Sequence, residues 1–463
     1  MDHVQVRFST EELLYEIHKD IRRLETSGLM KRSTRIFIGL RELSGYYHHL
    51  KKGFDTLGIE AVFANLSGHP YRYGEDKNPW MINLINRLAQ KIGTRFYRNW
   101  TIRILWVGFL QNILSAFLFV WALFRFDVFI FASNSTFFFF LDLPILKLCR
   151  KKIIYVFHGS EARPVYLNGY VLMNEKTTTI LIGIILARIQ KLMISIIERF
   201  ADYIISIPPQ AYFHSRPFIS WWMIGVPHDV SERSIPSPAT EKQQGGVRIL
   251  HAPSKPEPKG TPQIRQVIKS LKGKGYAIDY VEITGRPNAE VLAELRRCDF
   301  IADEIYSDTP MAVFATEAAF AGKPAVVGSY YAMHIHSDLP AEDIPPSMFC
   351  HPDNLEEAME TMISNQTFRE ELGKKAFDFV MNNWSATNVA QHYLMLINGN
   401  FPQGWLHDPN KIRYLHGCGL PEHRAKRIID RFLKIGGRRS IRLSDKPVLE
   451  EMFVRFASGC EKP

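Results

Sequence analysis

Residues 279–304, "DYVEITGRPNAEVLAELRRCDFIADE", decide the fold class. The run begins β-rich, breaks at Gly285-Arg286-Pro287, turns to a helical pattern over 288–297, and returns to a short apolar strand ending in Asp303-Glu304. Two strands joined through a helix lie parallel in one sheet, because an antiparallel pair needs only a tight turn. The same alternation extends upstream through "VRILHAPS" and a helix over about 261–274, and downstream through a helix near Glu317 and the strand "PAVVG". It also fills the first half of the chain, where "TRIFIGL", "GYYHHLKKGFDTLG" and "IEAVFANL" are followed by "DVFIFAS", "KKIIYVFHGS" and "DYIISIP". Each strand ends in small or polar residues, at the carboxyl edge where parallel sheets gather ligands.

Between the two halves, residues 214–246 accumulate Pro, Ser, Gly and charge without periodicity and read as an interdomain connection. The expected fold is therefore α/β, with two Rossmann-like doubly wound domains facing across a cleft and extra helices at both ends. The boundaries follow: a helical extension over 1–30, a first domain over 31–215, a linker over 216–245, a second domain over 246–390, and a basic helical extension over 391–463. A length of 463 residues agrees, since it exceeds what one core supports.

The formal net charge of +10 points to anionic partners: nucleotides, phosphorylated lipids, an acidic bilayer or nucleic acid. Five cysteines stand far apart with no CxxC pair, which argues against a zinc site or a disulfide framework and for a reduced cytoplasm. The start of the chain lacks a signal-type apolar core and reads as a helix opened by Ser9 with Glu12 in a capping box. Residues 104–124, "ILWVGFLQNILSAFLFVWALF", are uncharged over a bilayer-spanning length. Polar Gln111, Asn112 and Ser115 interrupt them and a strand follows directly, so a buried or partly lipid-facing helix is preferred over an in-plane anchor or a span. Near the C-terminus, "LHGCGLPEHRAKRII" faintly resembles a helix-hairpin-helix, but its turn has two extra residues and occurs once, so nucleic-acid binding is not expected.

The chemistry-bearing residues cluster at strand ends. Gly45 follows the first strand, where a backbone without Cβ lets a phosphate or sugar approach a helix N-terminus; a plain tight turn explains it equally. "FHGSEAR" offers His158, Glu161 and Arg163 on a loop facing the cleft, with an imidazole able to donate to a substrate hydroxyl or take its proton. "HAPSKPEPKGT" sets Lys255, Lys259 and Gly260 where a helix should begin, suited to a diphosphate. Gly285 and Arg286 form a loop able to contact a nucleobase, and Glu317 offers two acceptors to a vicinal diol such as ribose, unless it is simply a helix-start carboxylate.

Taken together, "SGYYHHLKKGFDTLGIEAVF", "KKIIYVFHGSEAR", "LHAPSKPEPKGT", "DYVEITGRPNAEVLAELRRCDFIADE" and "EAAFAGKPAVV" resemble bacterial family-4-type glycosyltransferases of the GT-B fold, in family order over most of residues 34–330. The resemblance implies transfer of a sugar from a nucleotide donor with retention of anomeric configuration, without a metal or other cofactor. It places Glu317 on the donor ribose, Lys259 and Lys255 on the diphosphate, His158 against the transferred sugar and Gly45 near the phosphates. Gly260, Gly285, Arg286, Thr309 and Ala312 complete the expected donor side, and Glu161 and Arg163 the acceptor side.

Thr309 stands where the family often carries an acid, in a loop "DTPMAVFAT" without glycine, and Pro253 replaces a customary arginine. The implied role is a cytoplasmic, membrane-associated enzyme acting on a glycan or lipid-linked acceptor in synthesis of a surface polysaccharide such as capsule or O-antigen, in peripheral contact with an anionic inner-membrane surface. The altered loop keeps a second reading open, a binding or scaffold subunit of a glycan synthase that has lost turnover.

Overall fold

The computed structural model describes residues 34–65, 115–172, 174–229 and 246–459. The expected N-terminal helix, residues 104–114 of the uncharged segment and most of the linker fall outside these.

Two parallel sheets organise the chain. The first has the order β12-β6-β5-β4-β3-β1-β2, with β1 Ile36–Leu40, β2 Ala61–Asn65, β3 Val128–Ala132, β4 Lys152–Val156, β5 Tyr203–Ser206, β6 Phe218–Ser220 and an antiparallel edge strand β12 Leu406–His407. The second has the order β11-β10-β9-β7-β8, built from β7 Val247–His251, β8 Ile278–Glu282, β9 Phe300–Ala302, β10 Ala325–Gly328 and β11 Met348–Cys350. Strands such as "IFIGL" and "VFIFA" are buried at every position, which is why they read as unbroken apolar runs rather than alternating ones. Both sheets reverse direction of growth beside their first strand, and the crevice at that reversal is where such sheets bind ligands. This is the expected pair of Rossmann-like domains in the GT-B arrangement.

Helices α1 Tyr46–Thr56, α2 Ser115–Arg125, α3 Asp142–Leu148 and α4 Thr177–Phe200 belong to the first domain. Helices α5 Thr261–Gly273, α6 Asn288–Leu295, α7 Val313–Phe320, α8 Leu355–Ser364 and α9 Gln366–Asn383 belong to the second. The chain then returns to the first domain. Helix α10 Ala386–Asn398 lies along α1, close enough that a Cβ on Gly53 would stand 2.0 Å from the Ala386 carbonyl oxygen. Helices α11 Glu422–Gly436 and α12 Pro447–Ser458 pack on each other, and α11 also packs on α4, burying Ala425, Ile428, Ile429 and Phe432 at helical spacing and leaving the basic face outside.

One expectation changes. The stretch read as a linker from residue 216 begins instead with β6, paired to β5 through Ile205 and Ile219, followed by a turn of helix burying Trp221 and Trp222. Prolines and serines around this segment disguised a strand whose apolar side chains are core. The turn before α11 is a packing device: a Cβ on Gly417 would stand 1.9 Å from the Leu167 carbonyl oxygen, so the glycine permits close backbone approach within the protein.

Candidate functional site

A cavity of about 320 Å³ opens at the carboxyl edge of the second sheet, at its switch point. Its lining comes from the loop after β7 (Pro253, Ser254), the loop after β8 (Gly285, Arg286), the start of α6 (Asn288) and the start and middle of α7 (Ala312, Glu317), with Lys259 to one side. Ser44, in the β1–α1 turn of the first domain, closes it from across the cleft. Of the residues anticipated from sequence, Lys259, Gly285, Arg286, Ala312 and Glu317 therefore meet in one place, with Gly45 next to a lining residue.

Glu317 sits in the second turn of α7 rather than at its start, so the helix-start explanation gives way to a side chain on the cavity wall. Burial pushes its carboxyl up to about 7; the one hydrogen bond donated to it, from Asn288 Nδ2 at 3.4 Å, is too long to offset that. A carboxyl in a mostly apolar cavity with an acceptor oxygen under-satisfied is poised for hydroxyl donors. Gly285 has φ +69° with open space around its Cα, leaving the loop backbone approachable, and Arg286 is largely exposed beside it.

Lys259 is committed within the protein. Its ammonium lies 2.8 Å from Asp303 and 3.2 Å from Glu304, both buried. Burial works to lower its pKa, but these two carboxylates outweigh that and hold it well above the usual lysine range. Lys255 is exposed and turned away, its Nζ reaching the Tyr170 carbonyl oxygen at 3.4 Å. Gly260 is required by packing: φ is +74° and the Ile305 side chain fills the space where a Cβ would be.

The N-terminus of α1 is likewise occupied. Gly45 adopts φ +82° to start the helix, but Glu42 folds back and accepts from the amides of Leu43 (2.7 Å), Tyr47 (3.2 Å) and His48 (3.0 Å). Burial pushes the Glu42 carboxyl up to about 7 against the opposing pull of these amides. The anion expected at this helix end is thus supplied by the chain.

His158 lies on the loop after β4, outside the cavity lining, with its Nε2 2.7 Å from the Tyr47 hydroxyl and its ring edge-on to Tyr46 and Trp221. Burial lowers its pKa to about 3 and raises that of Tyr47 well above the usual range, so both groups are neutral and share one hydrogen bond whose donor is set by the imidazole tautomer. Glu161 accepts from the His158 amide at 2.7 Å and shapes that loop.

Arg163, expected on the acceptor side, and Thr309, expected on the donor side, are engaged within the protein. Arg163 reaches across the cleft to Asp308 through Nε at 2.9 Å and a second, shorter contact from its terminal nitrogen, with both side chains buried. Asp308 outweighs the effect of burial and raises the guanidinium's pKa. Thr309 Oγ1 accepts from Trp222 Nε1 at 3.1 Å. These contacts join the two domains. Sequence reading missed Ser44, Ser254 and Asn288 in the cavity; Asn288 alone had a signal, as the first residue after Pro287 opening a helix at a strand-end loop.

No family model and no curated protein matches the chain. Solved structures do resemble it. The Anabaena protein HepE in complex with UDP-glucose is 11% identical with a TM-score of 0.44, over 80% of this chain and 100% of that one. A glycosyltransferase from Rickettsia africae is 11% identical with a TM-score of 0.41, over 81% of this chain and 100% of that one. The glycosyltransferase SnogD from Streptomyces nogalater is 13% identical with a TM-score of 0.38, over 79% of this chain and 100% of that one.

Proposed function

We propose that the chain is a glycosyltransferase that takes its sugar from a nucleotide-sugar donor, of the bacterial family-4 type, retaining configuration and needing neither metal nor other cofactor. Its acceptor is a glycan, lipid-linked, in synthesis of a cell-surface polysaccharide at the cytoplasmic face of a membrane. The observation that carries the reading is Glu317, a half-buried carboxyl on the wall of a switch-point cavity, where its ionised form offers two oxygens to a ribose diol. The Gly285 backbone and the Arg286 guanidinium on the cavity wall are available to a base and diphosphate, and His158 offers its Nδ1 to a substrate hydroxyl. Stabilising the departing diphosphate is the main chemical need of such a transfer, and it falls to Arg286.

A second reading, a binding or scaffold subunit without turnover, is favoured by the same two internal pairings that changed the sequence expectation. Lys259 is neutralised by Asp303 and Glu304, and the α1 amides are taken by Glu42. A panel of UDP, GDP, ADP and CDP sugars decides between them, with wild type beside Glu317→Ala and Arg286→Ala. Binding with slow sugar release, lost in both variants, supports the transferase; binding without release in the presence of membrane extract supports the scaffold; no binding to any nucleotide sinks both.

A further inference from the structure

Helix α4 is 24 residues long and apolar enough to cross a bilayer, yet it cannot leave the protein. Its inner face buries Ile180, Ala187, Ile194 and Ile197. From the same face, Gln190 Nε2 donates to the carbonyl oxygens of Ser160 (3.3 Å), Glu161 (3.0 Å) and Arg163 (2.8 Å), tying the helix to the loop that carries His158. Its outer face is just as apolar: Ile182, Ile185, Ile189 and Leu192 are 45–60% exposed and follow one another at helical spacing.

The exposed face continues onto neighbouring elements. Helix α3 packs beside α4, with Lys147 2.8 Å from Asp202, and it and the residue before it present Leu141 and Leu148 at 74% and 84% exposure. Helix α2 is joined to the segment before α3 through Phe119 against Phe137 and Phe138, and turns Phe117 and Phe124 outward at 67% and 79%. Soluble proteins seldom leave so many large apolar side chains together on one side.

Part of the charge at this edge is neutralised within the protein, where Lys147 pairs with Asp202, Lys191 with Asp445 and Arg125 with Glu60. Helix α4 adds two exposed arginines beside its apolar outer face, Arg188 and Arg199, and the one acid of α3, Asp142, is buried and caps the preceding turn. Arg442 from the C-terminal region stands near enough to Arg188 that the two repel, adding to the effect of burial in lowering the Arg442 pKa. An apolar face edged by cations, on helices anchored within a domain, has the composition of an in-plane bilayer contact.

We propose that the outer faces of α2, α3 and α4 form a docking surface for an anionic lipid bilayer, in which α4 lies in the membrane plane and does not cross it. The consequence is positional. The loop bearing His158 hangs from the inner side of the helix that touches lipid, so the acceptor side of the cleft is held at the membrane surface. The surface stands on geometry separate from the nucleotide cavity, so it is tested separately from the proposed transfer.

The test uses the full chain and vesicles of phosphatidylcholine alone or with phosphatidylglycerol, read by co-sedimentation, with light scattering for oligomeric state. The wild type is expected to sediment with the phosphatidylglycerol vesicles and to be released by salt. Ile182→Ser with Ile185→Ser and Ile189→Ser should lower partitioning by more than about a hundredfold with an unchanged circular dichroism spectrum. Arg188→Gln, a single exposed change that spares folding, should lower it by about fivefold on the anionic vesicles only. Wild type left in the supernatant with both vesicle types overturns the proposal. So does a wild-type dimer that ignores vesicles and becomes monomeric in the triple variant, which would make the face a subunit interface. Nucleotide-sugar binding measured on the same samples keeps a failure here distinct from a failure of the transferase reading.

Discussion

Replacing Glu317 by Gln tests the site and its physics together, because the two proteins differ only in whether one side-chain group can ionise. The folded wild type keeps the Glu317 proton up to about pH 7, whereas the unfolded chain releases it near 4.5. The folded state therefore binds more protons through this interval, and its stability falls as pH rises across it. Raising a carboxyl from 4.5 to about 7 corresponds to about 3 kcal/mol at most, fully expressed above pH 7 and absent below pH 4.5. Glu317→Gln carries no charge at either end. Urea denaturation should then find the two proteins equally stable near pH 4.5, with the variant gaining up to about 3 kcal/mol relative to wild type at pH 8. Calorimetric titration with the bound nucleotide sugar should show the opposite preference. Wild-type affinity should tighten between pH 6 and pH 8 as the carboxylate forms, while the variant's stays flat and, at pH 8, about 10- to 100-fold weaker, the range for a hydrogen bond to a charged group. Stability curves that run parallel across this interval would refute the claim that the carboxyl is desolvated and poorly satisfied. Equal affinities at pH 8 would return Glu317 to an ordinary helix residue.

Three further outcomes follow from the buried pairs and one close contact. Arg163→Met should destabilise the protein by about 3–5 kcal/mol by leaving Asp308 buried alone, and adding Asp308→Leu should recover most of it, as read by urea unfolding. Lys259→Met leaves Asp303 and Glu304 side by side without their cation. It should cost about 3–5 kcal/mol at pH 8 and less at pH 5, where the two acids take up protons, so a denaturation series that is flat with pH would count against the cluster. Gly53→Ala sets a methyl against the Ala386 carbonyl oxygen and should lower stability by about 1–3 kcal/mol, measured by thermal unfolding.

The sequence by itself determined the two parallel sheets, because strands buried on both faces must be apolar throughout and helices between them must carry a 3.6-residue pattern. Both survive in "IFIGL", "VFIFA" and the βαβ run over 279–304. It also suggested that Gly285, Arg286 and Glu317 share a site, since the segments that follow the strands of one parallel sheet leave from the same carboxyl edge, here those after β8 and β9 on either side of β7. Tertiary structure alone decided which charges remain available. Lys259 and the α1 amides read as open anion sites until the fold brings Asp303, Glu304 and Glu42 against them, and Arg163 reads as a ligand contact until the closing of the cleft sets it on Asp308. An ion pair between residues 145 positions apart leaves no local pattern, because its two partners are selected by the meeting of two domains and not by spacing along either element. The same holds for α4: apolar on every side in sequence, it becomes half core and half exposed surface only when one face meets the domain and the other does not.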